Sequence, residues 1–242
     1  MSKFILSICG LILTFTSSAE TIKFISGTKQ ATMIELFTSQ GCSSCPAAEE
    51  GINKLVESPK LWKEIIPLAF HVDYWDGLGW RDIYANEEFS VRQYRYKHDG
   101  NVNVVYTPGF LVNGQEWQGW RSSSIPLANK ETGALSVKIQ KQRLSAEYKD
   151  NSKQLLQLHV AILGFNINTS VEAGENQGRN LEQQFLVLAH NQTRSTQNIW
   201  QTKLPEVTHS ASKYGIVAWI SSVDNQKPIQ ATGGWLPEDF IQ

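Results

Sequence analysis

Met33-Ile-Glu-Leu-Phe-Thr-Ser-Gln-Gly-Cys-Ser-Ser-Cys-Pro46 is the stretch on which the reading of this chain turns. Met33, Ile34, Leu36 and Phe37 make a short apolar run that suits a buried strand. Thr38 to Gly41 break it, and Pro46-Ala-Ala-Glu-Glu50 then opens a helix with acids in its early turns. Cys42 and Cys45 stand where strand becomes helix. Unpaired N–H groups and the helix dipole favour an anion there, which lowers a thiol pKa and creates a nucleophilic thiolate. This predicts a thiol–disulfide exchange site, with Cys42 as nucleophile and Cys45 as resolving thiol. Two other readings stay open: half of a zinc or copper site, or a structural staple.

Outward from that stretch, the chain frames a secreted protein. Lys3, the apolar run Phe4 to Phe15 and the small residues Ser17-Ser18-Ala19 predict a signal peptide over residues 1–19. The run is short for a membrane span. Cleavage removes Cys9 and leaves Cys42 and Cys45 as the mature cysteines, in a bacterial periplasm where disulfides persist. The full chain carries a formal net charge of −1 and no basic run, which argues against nucleic acid and against anionic membrane surfaces as partners. No later stretch is long and apolar enough to span a membrane, so stable insertion is not expected either.

The order along the chain predicts β-α-β-α-β-β-α up to about residue 132. Ile65 to Val72 is a strand that ends in the loop His71-Val-Asp-Tyr-Trp-Asp-Gly-Leu-Gly-Trp-Arg-Asp82. Residues from Ala85 to Asp99 read as a helix, Asn113-Gly114 as a hairpin turn, and Ser122 to Lys130 as a last short helix. From Gly133 the texture changes. Leu135-Ser-Val-Lys-Ile and Leu144-Ser-Ala-Glu-Tyr alternate at period two, and three further strand-like runs follow between polar turns. The fold class expected is an α/β thioredoxin-like domain over 20–132, followed by an all-β sandwich-like domain over 133–242.

The β-α-β order with a CxxC after its first strand resembles the thioredoxin fold. Tyr106-Thr-Pro-Gly-Phe-Leu-Val-Asn-Gly114 is similar to that superfamily's cis-proline loop and following strand. The resemblance implies a cis Thr107–Pro108 bond packed against the cysteines, with Thr107 offering its backbone to a docking partner. It also implies a buried acid on the strand before the CxxC, moving a proton to or from the resolving thiol. Glu35 is the candidate, seven residues before Cys42 where the common spacing is six; a solvated Glu35 is the competing reading. More narrowly, ELFTSQGCSSCP, HVDYWD, Gly79-Trp80, Val105-Tyr-Thr-Pro108, Val112-Asn-Gly114 and Gly174-Glu-Asn-Gln-Gly-Arg-Asn-Leu181 resemble a secreted bacterial thioredoxin-like family, domain of unknown function 1223.

Three functions are therefore in play. The first is an oxidoreductase that exchanges its CxxC disulfide with protein thiols or disulfides of a secreted substrate or redox partner, using Cys42, Cys45, Thr107, Pro108 and Glu35 and no cofactor. The second is a copper or other metal-delivery protein using Cys42, Cys45 and His71, with a structural His71 as the plainer alternative. The third is a non-catalytic binding module. Tyr74, Trp75 and Trp80 either line a groove for an extended peptide or pack their own loop.

Overall fold

A computed structural model describes residues 21–150, 154–238 and 240; the expected signal peptide and Cys9 lie outside them. The elements in order are β1 (Thr21–Ile25), β2 (Thr32–Thr38), α1 (Pro46–Asn53), β3 (Ile65–His71), α2 (Glu87–His98), β4 (Gly109–Val112) and β5 (Gln115–Glu116). They continue with β6 (Ala134–Gln140), β7 (Arg143–Lys149), β8 (Leu156–Phe165), β9 (Ile167–Ser170), β10 (Asn180–Gln183), β11 (Leu186–Ser195), β12 (Ile199–Lys203), β13 (Lys213–Ser222) and β14 (Gln230–Trp235).

Eight strands form one mixed sheet in the order β14-β13-β8-β11-β3-β2-β4-β5. A four-stranded antiparallel sheet, β1-β6-β7-β12, packs on one face, and β9 pairs with β10 as a separate ribbon. This corrects the expected fold class. The described chain is mostly β-sheet with two α-helices, and it is not an α/β thioredoxin-like unit followed by a separate sandwich. The joint is explicit: β2 and β3 run parallel, and β11 lies parallel on the other side of β3, with the Ala69 N–H donating to Phe185 O at 2.9 Å. The N-terminal β1 pairs with β6 in the smaller sheet.

The physical reason is burial on both faces. A sandwich strand with one wet face alternates, whereas β3, β8 and most of β13 are buried residue after residue. Along β8, Leu158, Val160 and Ile162 enter the core under the smaller sheet, while Ala161, Leu163 and Phe165 enter the core on the helix side. Ile216, Ala218 and Ile220 of β13 face the first core, and Val217 and Trp219 the second. A strand with two dry faces must also have both edges paired, because buried N–H and C=O groups need partners. β11 closes the edge of β3 that would otherwise be open.

Local signals explain the rest. Asn113 and Gly114 both take positive φ in the turn between β4 and β5, and the Asn113 side chain accepts the Met33 N–H at 2.8 Å. The side chain of Asn86 caps α2 by accepting the Glu88 N–H at 2.9 Å. The short helix expected over Ser122–Lys130 is absent; a 3-10 turn at Gln118–Arg121 precedes an irregular segment. Ser122-Ser-Ser124, Pro126 and the lack of an apolar stripe leave nothing to hold a helix there.

Candidate functional site

β2 delivers the chain to the C-terminal edge of its parallel pair with β3, where Thr38 stands opposite His71. The loop Ser39 to Cys42 turns there and runs into α1. Cys45 is the N-cap and Pro46 fills the first helical position, where a missing N–H costs nothing. The two cysteines therefore occupy the turn ahead of the helix, with the Cys45 N–H donating to Cys42 O at 3.2 Å. They form a disulfide with Cα atoms 5.4 Å apart. The side chains of Ser43 and Ser44 are exposed, but Cys42 is 1 % and Cys45 0 % exposed.

Two segments hold this turn. From the loop after β3, Asp82 accepts the Gln40 N–H at 2.9 Å, and Trp80 donates its indole N–H to Gln40 Oε1 at 3.1 Å. Trp75 of the same loop donates to Thr107 Oγ1 at 2.8 Å and so ties the tryptophan loop to the Thr107–Pro108 loop, whose bond is cis. Gly41 makes that packing possible: a Cβ there would lie 3.2 Å from Trp75 Cβ. From the loop between β9 and β10, buried Asn176 donates its amide to Gln40 O at 2.8 Å and Cys42 O at 2.9 Å. Glu175 accepts the Ser43 N–H at 3.0 Å. Gly174 lets this loop close on the tryptophan loop, since a Cβ there would lie 3.0 Å from Trp80 Cβ.

Beneath the turn lies a buried acid–base cluster. Glu49, one helical turn after Cys45, is 4 % exposed and its carboxyl accepts Thr38 Oγ1–H at 2.6 Å. Burial pushes its pKa up, only partly offset by His71 and the Thr38 hydrogen bond. Burial would lower His71, but Asp82, 2.6 Å from Nδ1, and Glu49 outweigh it and hold the imidazole above its usual value. For Asp82, burial is outweighed by His71 and by the Gln40 and Tyr84 N–H groups, which lower its pKa. The result is a hydrogen-bonded His71–Asp82 pair, each partner favouring the other's charged form, beside a carboxyl whose pKa burial raises. His71 Nε2 is buried with no hydrogen-bond partner.

The sequence candidates divide into two places. Cys42, Cys45, Thr107 and His71 are joined by the contacts above, and Pro108 follows Thr107. Glu35 is buried, but Arg92 Nε donates to its Oε1 at 2.7 Å and Tyr96 O–H to its Oε2 at 2.5 Å. As for the metal alternative, His71 Nδ1 is committed to Asp82, and among the described residues no group of three or more His, Cys, Asp or Glu is placed to hold an ion. Sequence reasoning passed over Glu49, Glu175 and Asn176. Glu49 was within reach: four residues after Cys45 on a helix puts it on the same face.

The sequence matches the family described as "Protein of unknown function (DUF1223)" over residues 33–221, and the chain belongs to that family. No curated protein matches it. In fold it is similar to a structural-genomics protein from Agrobacterium tumefaciens, at 20 % identity and TM-score 0.57 over 90 % of this chain and 98 % of that one. It is also similar to HBP35 of Porphyromonas gingivalis, at 13 % identity and TM-score 0.56 over 87 % of this chain and 76 % of that one.

Proposed function

We propose that this protein exchanges the Cys42–Cys45 disulfide with cysteines of an extracytoplasmic protein partner. The observation that supports this most is the placement of the pair directly ahead of α1, one turn from a buried Glu49 whose pKa burial raises. A staple reading explains less. Closing so short a loop limits the unfolded chain by only about 2 kcal/mol in the chain-entropy model, and the turn is already held by Asp82, Asn176 and Glu175.

In exchange, a partner thiolate attacks Cys42, and the S–S bond breaks with its electron pair on Cys45. Glu49 gives its proton to that sulfur; in the reverse direction its carboxylate takes the proton from Cys45 and frees the thiolate that closes the ring. This reading moves the proton-transfer role from Glu35 to Glu49, because both oxygens of Glu35 are held by Arg92 and Tyr96. In this reading the Thr107–Pro108 loop, held by the Trp75 indole, offers with exposed Tyr106 and Tyr74 the surface on which a partner segment lies. Because Cys42 is covered in the disulfide form, its turn must open for an attacking sulfur to approach.

The test is a Cys45→Ala variant expressed in its native compartment. Mixed disulfides are expected to accumulate on Cys42, visible on a non-reducing gel, with none on Cys42→Ala. A pair whose potential lies below about −300 mV, with no adducts on either variant, overturns the proposal in favour of a staple.

A further inference from the structure

The C-terminal half places a negative charge at the cysteine turn. Glu175 reaches from the loop between β9 and β10, and its Oε2 accepts the Ser43 N–H at 3.0 Å. Its position is fixed from behind, because neighbouring Asn176 is buried and bonded to both Gln40 O and Cys42 O. The Ser43 hydrogen bonds hold the Glu175 carboxyl below the ordinary glutamate range, so it is ionised at neutral pH. Of the buried acids near this turn, Asp82 is paired with His71, and Glu49 accepts a hydrogen bond from Thr38.

We propose that Glu175 sets the redox poise of the Cys42–Cys45 pair, and that it makes the reduced protein a donor of electrons to partner disulfides. The inference rests on the exchange reading above and gives it a direction. An N–H ahead of a helix stabilises a thiolate. Here the Ser43 N–H already serves a carboxylate, which also repels a second negative charge. The Cys42 thiolate is thereby disfavoured, the disulfide is favoured over the dithiol, and the potential becomes more negative. In the step so biased, Cys42 thiolate attacks one sulfur of the partner's disulfide, and the partner's other sulfur leaves with the electron pair and takes a proton. Cys45, deprotonated, then attacks the Cys42 sulfur and expels the remaining partner thiolate. Two electrons pass to the partner, and a dithiol donor protein restores the reduced pair.

The test compares Glu175→Gln with the parent, each in a Cys45→Ala background, by titrating the thiolate absorbance of Cys42. Glutamine keeps an oxygen for the Ser43 N–H but loses the charge. The expected result is an acid dissociation constant about two- to five-fold larger, with the difference shrinking at high salt. In the two-cysteine protein, at a pH where the reduced Cys42 is ionised, the equilibrium with glutathione should move by the same factor, about 10–20 mV less negative. Glu172→Gln, an exposed carboxylate on the same loop, should change neither. Equal constants for Glu175→Gln and parent, or an equal shift from Glu172→Gln, overturn the role of Glu175. A shifted Cys42 constant together with a pair that forms no mixed disulfides leaves the charge effect standing and overturns electron donation, and with it the exchange reading.

Discussion

Two buried charged clusters hang from the same strand, and they are built differently. Near the middle of β2, Glu35 meets Arg92 and Tyr96 of α2, and every arm of the guanidinium is used. Arg92 Nε and Nη2 bind Glu35, Nη1 donates to Gln226 Oε1 at 3.0 Å, and the guanidinium lies over the rings of Phe70, Tyr96 and Trp219. At the end of β2, Thr38 meets Glu49, whose pKa burial raises, beside His71, which has one ring nitrogen unpartnered. The first cluster is closed and locks α2 to the sheet. The second sets two shifted titratable groups beside a disulfide, one of them with a ring nitrogen unpartnered. The same strand thus separates a part that stabilises the fold from a part suited to chemistry.

Breaking the closed cluster should have the largest effect on stability. Arg92→Met leaves Glu35 buried without its counter-charge and should cost about 3–5 kcal/mol. Thermal unfolding should show it as a fall in Tm on the order of 10 °C, while the exchange rate per folded molecule stays the same. A fall of only a degree or two would mean that the two clusters do not differ as described.

Asn176→Ala should come next, at about 2 kcal/mol, because two buried carbonyls lose their donor. It should also hasten reduction of the Cys42–Cys45 disulfide by dithiothreitol, since it removes a bolt on the cysteine turn. Destabilisation without faster reduction would mean that Asn176 holds the fold but not access to the sulfurs.

A smaller effect should appear with pH. His159 and His190 stack on Trp219 under the closed cluster. Burial first, then the nearby Arg92, lowers both, His190 to about 3. The folded protein therefore binds fewer protons than the unfolded chain below about pH 6.5. Their contribution to stability is present above that pH and declines as pH falls toward the folded values. His71, raised, has the opposite sign: its contribution is present below about 6.5 and is lost as pH rises through its folded value. Urea melts should show a loss of about 1–2 kcal/mol from pH 7 to 5.5, and His190→Asn should flatten that slope. An unchanged slope would remove His190 from the account.

Glu49→Gln should have the least effect on stability, within about 1 kcal/mol, since a neutral amide of the same shape replaces a carboxyl whose charged form burial disfavours and keeps an oxygen for the Thr38 hydroxyl. Its effect should be kinetic: ring closure by Cys45 slows by about tenfold or more, and its pH dependence flattens. Glu35→Gln should do the reverse, lowering Tm and sparing exchange. A swap of these two outcomes would return the proton-transfer role to Glu35.

Much of the local structure was legible because its causes are local. The apolar run before Cys42, the Asn113-Gly114 turn and the helix after Asn86 each carry their own signals. The assembly was less legible. Period-two alternation marked β6 and β7 correctly as half-wet strands, but β8 and β13 are dry on both faces, and a continuous apolar run does not say which strand will flank it. The pairing of β11 with β3 joins residues 186 and 69, and no short-range pattern encodes it. The candidate site divided the same way. Cys42 and Cys45 announce themselves, whereas the partner that occupies Glu35 is 57 residues away and the amide that bolts Cys42 is 134 residues away.

That last separation has a consequence for how the molecule is made. A chain synthesised from its N-terminus presents Cys42 and Cys45 long before the loop that covers them exists. Until Glu175 and Asn176 arrive, the two thiols stand open to whatever oxidant the compartment holds. The edge of β3 waits longer still, for β11. The order of birth along the chain therefore gives the cysteine pair an early, uncovered life as a nascent dithiol, distinct from its capped existence in the finished protein.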